Sequence, residues 1–135
     1  MGIPTLHSKI LFYSTTLGVS FERTLTLGRQ NLYTSTKDIH HYLTKFMNVD
    51  LIDEDEFKDN EYSEPLFKNL GASKIDSMDN SSYEGATVLH DLNLPVAEAN
   101  NLADVLKDAK PLDLKREQVF SPVNTDFWKK IFNNK

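Results

Sequence analysis

Residues 77–95, SMDNSSYEGATVLHDLNLP, hold the pattern that decides how this chain is read. Ala86-Thr87-Val88-Leu89 is apolar and β-branched and is bounded by turn-forming residues on both sides, which predicts a short strand. Ser73-Lys74-Ile75-Asp76-Ser77-Met78 predicts another, and Ser81 to Gly85 between them suffices for a turn and little else. Each strand runs directly into a short acidic turn, the first carrying Asp79 and the second Asp91. Upstream, Phe21-Glu22-Arg23-Thr24-Leu25-Thr26-Leu27 predicts a third strand, stopped by Gly28. Three strand exits therefore carry, in chain order, a glycine, a carboxylate and a carboxylate.

Helical patterns surround these strands. Leu6, Ile10, Leu11 and Leu17 recur at helical spacing over residues 4–17, with Pro4 suited to a first turn and Gly18 to a C-terminal stop. Ser35 to Asp38 offers N-cap chemistry ahead of Ile39, Tyr42, Leu43 and Phe46, and Pro65 opens a further short helix, Leu66 to Leu70, before Gly71. Residues 48–64 carry eight carboxylates and one lysine without calcium-loop spacing, and they predict a solvated, mobile excursion. Residues 96–109 favour a helix, and Asp126 to Phe132 suit a short amphipathic one whose Phe127, Trp128, Ile131 and Phe132 cover either the chain's own sheet or a partner. Because helices separate the first two strands, the fold class is α/β, with a Rossmann-like three-layer parallel sheet of about three strands and flanking helices.

Composition narrows the function classes. The chain has 135 residues, which suits one core, and a formal net charge of −5, which disfavours a general electrostatic grip on nucleic acid. It has no cysteine, so a disulfide framework, a thiolate zinc site and a cysteine nucleophile are all ruled out. No apolar run approaches the roughly 20 residues of a membrane span, and the N-terminal stretch lacks the basic n-region of a signal peptide. A cytoplasmic location is the expectation. His40 and His41 point about 100° apart on a helix and cannot readily share a metal. His90 could act as a general base, but no nucleophile or second acid accompanies it in the motif, so the catalytic residues are unknown.

In open parallel sheets, ligands sit outside the carboxyl ends of the strands. Gly28, Asp79 and Asp91 are placed to converge there on an adenosine-like ligand, since glycine admits a close backbone approach and an ionised carboxylate accepts ribose hydroxyls. There is no G-x-G-x-x-G after Leu27, and Asp79 lies 51 positions beyond Gly28 where a dinucleotide fingerprint has about 20, so nicotinamide dinucleotides are disfavoured. Turn chemistry is the competing role for both aspartates. Arg29 suits either a ligand carboxylate or an internal ion pair with the acidic excursion, and Gln30 suits a hydrogen bond within the turn.

Thr24-Leu25-Thr26-Leu27-Gly28-Arg29-Gln30, Leu70-Gly71-Ala72, Asp76 to Asp79, Ser82-Tyr83-Glu84-Gly85-Ala86 and His90-Asp91-Leu92-Asn93-Leu94-Pro95 together resemble the front half of a bacterial family of class I S-adenosylmethionine-dependent methyltransferase-like proteins. The resemblance spans about residues 2–98. It implies S-adenosylmethionine as cofactor, with Gly28, Arg29 and Gln30 near its methionine part, Asp79 on the ribose and Asp91 on the adenine amine. Leu102 to Asp108 stands where the family's fourth strand begins, and no Gly-Gly or Glu-His pair follows. The reading is therefore a truncated N-terminal half, residues 1–98, with a divergent helical extension, residues 99–135. A homodimer or a second chain would complete the sheet.

Overall fold

Thr24-Leu25-Thr26-Leu27 alternates polar and apolar side chains with period two, and in the computed structural model it lies in a strand, β2 (Arg23–Leu27). The structure describes residues 2–50, 52–58, 61–91, 93 and 94. The predicted helices over residues 96–109 and 126–132, and the 99–135 extension as a whole, lie outside the described residues. Two further strands, β4 (Lys74–Asp79) and β5 (Val88–Leu89), complete a three-stranded sheet in the order β2-β4-β5. All pairings are parallel, with Thr26 opposite Ser77, Leu27 opposite Met78, and Asp79 opposite Leu89. The second sheet is a parallel pair, β1 (Gly2–Ile3) with β3 (Asn31–Leu32). The protein is thus mixed α/β with small parallel sheets.

Neither β1 nor β3 is visible in the sequence pattern, because two residues are too few to display a period. Their pairing depends on a close approach: a Cβ on Gly2 would lie 2.1 Å from the Tyr33 ring. Only a residue without a side chain fits there unless that ring moves aside.

Helix α1 (Thr5–Thr15) packs against α2 (Thr36–Tyr42) and the π-helical turn Leu43–Met47 that continues it. The N-terminus of α2 is fixed as its sequence predicts. Ser35 Oγ accepts from the Asp38 backbone N–H at 3.1 Å and donates to the Asp38 carboxylate at 2.8 Å. Two short helices follow, α3 (Asp55–Lys58) and α4 (Glu64–Asn69), the latter with Pro65 in its first turn. The core gathers where α1, α2 and α4 meet: Phe12, Ile39 and Leu66 are fully buried and Leu43 is 1% exposed.

One helical face departs from expectation. Leu6 is 43% exposed, whereas Phe12 is fully buried and Tyr13 nearly so. The buried positions of α1 are Ser8, Lys9, Phe12, Tyr13 and Ser14, so Phe12 and Tyr13, and not the leucines, carry its apolar burial. Phe12 stacks tilted on Tyr42 at 6.0 Å and Tyr13 meets Phe46 edge-on at 5.8 Å. The acidic excursion also departs from a purely solvated loop. Ile52 and Phe57 pack on the core, and Tyr62 makes an antiparallel bridge with Asn31.

Tyr42 ties this core to pH. Burial, and then the charge of Asp38, hold its phenol above the usual tyrosine range. A raised folded-state pKa favours the neutral phenol, so its contribution is complete below about pH 10 and is lost as pH rises through the raised value. Tyr42→Phe is expected to flatten the fall of unfolding free energy between about pH 9 and about pH 11. Denaturant titrations at several alkaline pH values check this, and an unchanged slope would contradict it.

Candidate functional site at the carboxyl rim

A parallel sheet puts the carboxyl ends of its strands on one edge, and backbone bonds fix how close these exits lie. Gly28 leaves β2 with φ +68°, a left-handed conformation that costs other residues roughly 1–2 kcal/mol. Its N–H donates to Met78 O at 2.7 Å. A Cβ at Gly28 would stand 3.8 Å from Asp79 Oδ2, so the glycine and the carboxylate are neighbours. One strand further on, the His90 N–H donates to Asp79 O at 2.8 Å. The exits at Gly28, Asp79 and His90-Asp91 therefore step across one rim in the order of the sheet.

Both aspartates perform turn chemistry, each with one oxygen. Asp79 Oδ1 accepts from the Asn80 N–H at 2.6 Å. Asp91 Oδ1 accepts from the Asn93 N–H at 2.9 Å and from its Nδ2 at 2.8 Å. These bonds, with a smaller contribution from His90, hold the Asp91 carboxyl below its usual range and keep it ionised. The Oδ2 atom of each has no hydrogen-bond partner among the described residues. Turn formation thus fixes one oxygen of each carboxylate.

Arg29 is committed to the fold. Its Nε donates to Glu64 Oε1 at 2.6 Å, Nη1 donates to Glu84 O at 3.3 Å, and the guanidinium lies 3.7 Å from the centroid of the Tyr62 ring. Of the two roles open to this side chain, the structure contains the internal ion pair with the end of the acidic segment. Gln30 likewise closes its own turn, Nε2 donating to Leu27 O at 2.7 Å and to Gly28 O at 3.2 Å. Arg29 and Gln30 thus both make hydrogen bonds within the fold beside the rim.

Beneath Arg29 lies a pocket of about 240 Å³. Its floor is one face of the sheet, where alternation brings Thr26, Ile75, Ser77 and Thr87 together; its walls are Arg29, Gln30, Ser63, Glu64 and Gly85, with Asp76 at the edge. The same alternation puts Asp79 one step beyond Ser77 on that face, outside the lining. The pocket residues escaped sequence reading except for Arg29 and Gln30. Their signal was the polar half of the strand alternation, Thr26 and Ser77, which reads as a solvated face when the strand is considered alone.

No family model, curated protein or solved structure matches this chain. The site's chemistry must therefore be taken from its own groups. Among the described residues no three His, Asp or Glu side chains group as metal ligands, and no helix is long and apolar enough to cross a membrane. His90 is 7% exposed, and its Nε2 has no hydrogen-bond partner among the described residues. What the rim offers is a close-approach glycine, two oriented carboxylate oxygens, and backbone groups between them.

Proposed function

We propose that the carboxyl rim is the cofactor site of a Rossmann-like methyltransferase-type domain and binds S-adenosylmethionine. The observation that carries this is the adjacency of Gly28 and Asp79, with the Asp91 exit next along the same edge. In this reading the Gly28 turn admits the chain linking ribose and methionine, Asp79 Oδ2 accepts from the ribose hydroxyls, and Asp91 Oδ2 accepts from the adenine amine. These roles match the donors and acceptors of adenosine: hydroxyls and an amine donate, carboxylate oxygens accept.

Held by the Gly28 turn, Asp79 and Asp91, S-adenosylmethionine would supply a sulfonium methyl open to in-line displacement by an acceptor's lone pair, the electrons of the broken bond staying with its sulfur. The protein's contribution is positioning. Binding of the cofactor is the part of this reading that the rim's own groups support.

Thermal-shift or calorimetric titration with S-adenosylmethionine and S-adenosylhomocysteine tests the reading. A ligand at a hundredfold excess over its Kd stabilises the folded state by about 2.7 kcal/mol. Asp79→Ala is expected to abolish the shift, because it removes the only side chain assigned to the ribose. An unchanged melting curve at millimolar cofactor, or unchanged affinity in Asp79→Ala, would overturn it.

One observation favours a second reading, a non-enzymatic interaction module: Arg29 and Gln30 are both consumed within the fold. The aromatic segment 126–132 that would meet a partner lies outside the described residues. The same titration separates the two readings, since the module predicts no shift with either nucleoside.

A further inference from the structure

We propose that Asn93 is a positioning residue of the rim, an inference that rests on the cofactor reading: its side-chain amide holds Asp91 so that Oδ2 of that carboxylate faces the adenine amine. The two donors on Asp91 Oδ1 do different work. The Asn93 backbone N–H, at 2.9 Å, makes the Asx-type bond that any residue but proline supplies at this position. The Leu94 N–H donates to Asp91 O at 2.9 Å, so the main chain of the turn closes without a side-chain donor. The Asn93 Nδ2 bond, at 2.8 Å, therefore acts on the Asp91 carboxylate more than on the turn.

Asp79 supplies the contrast within the same rim. Among the described residues its Oδ1 accepts from the Asn80 N–H alone. A carboxylate held by one donor still swings about its terminal torsion, which is broad for aspartate. Two donors converging on one oxygen, from the main chain and the side chain of Asn93, narrow that swing because hydrogen bonds weaken steeply off line. They also keep Asp91 ionised, since the backbone bond first and the side-chain bond next hold its carboxyl below the usual range, with a smaller contribution from His90. An ionised acceptor makes a stronger hydrogen bond to an amine than a neutral one does. Asn93 is itself exposed, so truncating it opens no cavity in the core.

Calorimetric titration of the intact chain with S-adenosylhomocysteine, and with its 6-deamino analogue that lacks only the adenine amine, tests the role. Asn93→Ala is expected to weaken S-adenosylhomocysteine binding roughly threefold or more, the scale of one hydrogen bond. The affinity of the analogue is expected to stay unchanged, because it offers Asp91 no amine. Carbon-detected NMR of the ligand-free chain gives a second readout: in Asn93→Ala the Asp91 carboxyl is expected to titrate at higher pH, toward the ordinary value of about 3.9. Equal weakening of both ligands would make Asn93 a general support of the loop and overturn the proposal. Undiminished affinity for S-adenosylhomocysteine, or an unmoved Asp91 titration, would overturn it as well. A chain that binds S-adenosylhomocysteine but is indifferent to Asn93→Ala keeps the cofactor reading and loses this one, whereas an unaltered chain that binds neither compound loses both.

Discussion

Phe12→Ala is expected to lower the unfolding free energy by about 3–5 kcal/mol, the largest effect expected of any single truncation among the described residues. Phe12 is fully buried at the junction of α1, α2 and α4, and its ring meets Tyr42 at 6.0 Å. Its removal forfeits the transfer energy of an aromatic side chain and opens a cavity whose walls belong to three helices. Those walls cannot collapse together, because α1 and the start of α2 are also fixed by Ser8 Oγ and Thr34 Oγ1, hydrogen-bonded at 2.5 Å. A small parallel-sheet protein has about 5–15 kcal/mol of stability in total, so the variant sits near its folding threshold. Chemical denaturation measures the loss, and a change below about 1 kcal/mol would mean that Phe12 is not in the core.

Arg29→Met is expected to cost about 3 kcal/mol, because it removes two charged hydrogen bonds and the cation–π stacking on Tyr62 in one step. The figure stays at this level because the ion pair is only partly buried, the two side chains being 31% and 30% exposed. Removing Arg29 also leaves Glu64, which already has one buried oxygen without a partner, with no cation beside it. Arg29→Lys is expected to recover only part of the loss, since a point charge cannot serve Glu64 and the Glu84 carbonyl while lying flat on Tyr62. Full recovery by lysine in denaturant titrations would show that charge alone matters. The same variants bear on function, because a fall in stability without a change in cofactor affinity marks Arg29 as structural.

Elements with strong local chemistry are legible in this sequence, and those set by distant contacts are not. The Ser35–Asp38 cap announces α2 because the capping bonds span three residues. The strands of the larger sheet announce themselves by their β-branched and apolar residues and by the turns that end them, so the places of Gly28, Asp79 and Asp91 at strand exits follow from sequence. The β1–β3 pair does not, being fixed by Gly2 against Tyr33 across the chain. Nor does the buried side of α1, where Ser8, Lys9 and Ser14 are buried beside Phe12 and Tyr13. The same limit hides the ion pair of Arg29 with Glu64, 35 residues apart, which turns the end of an acidic run into a wall of the site.

For the two aspartates, sequence posed a choice between turn chemistry and ligand contact, and the geometry shows the turn role. Asx-type turns and ligand contacts compete only if they need the same atom. Here each turn uses Oδ1, and the bond that shapes the loop also aims the remaining oxygen. The polar residues of β2 and β4 show a similar double character. Parallel strands covered on both faces are usually runs of valine, isoleucine and leucine. In β2 and β4, Thr26 and Ser77, opposite each other in register, line part of a pocket floor instead.

The proposed cofactor site exists only if three parallel strand exits share one edge, and amide NMR reads that arrangement without any ligand. Nuclear Overhauser contacts are expected between the Gly28 amide and Met78–Asp79, between the His90 amide and Asp79, and between Thr26 and Ser77. Contacts that pair Arg23 with Met78, as an antiparallel register requires, or an absence of contacts between Gly28 and Asp79, would contradict it.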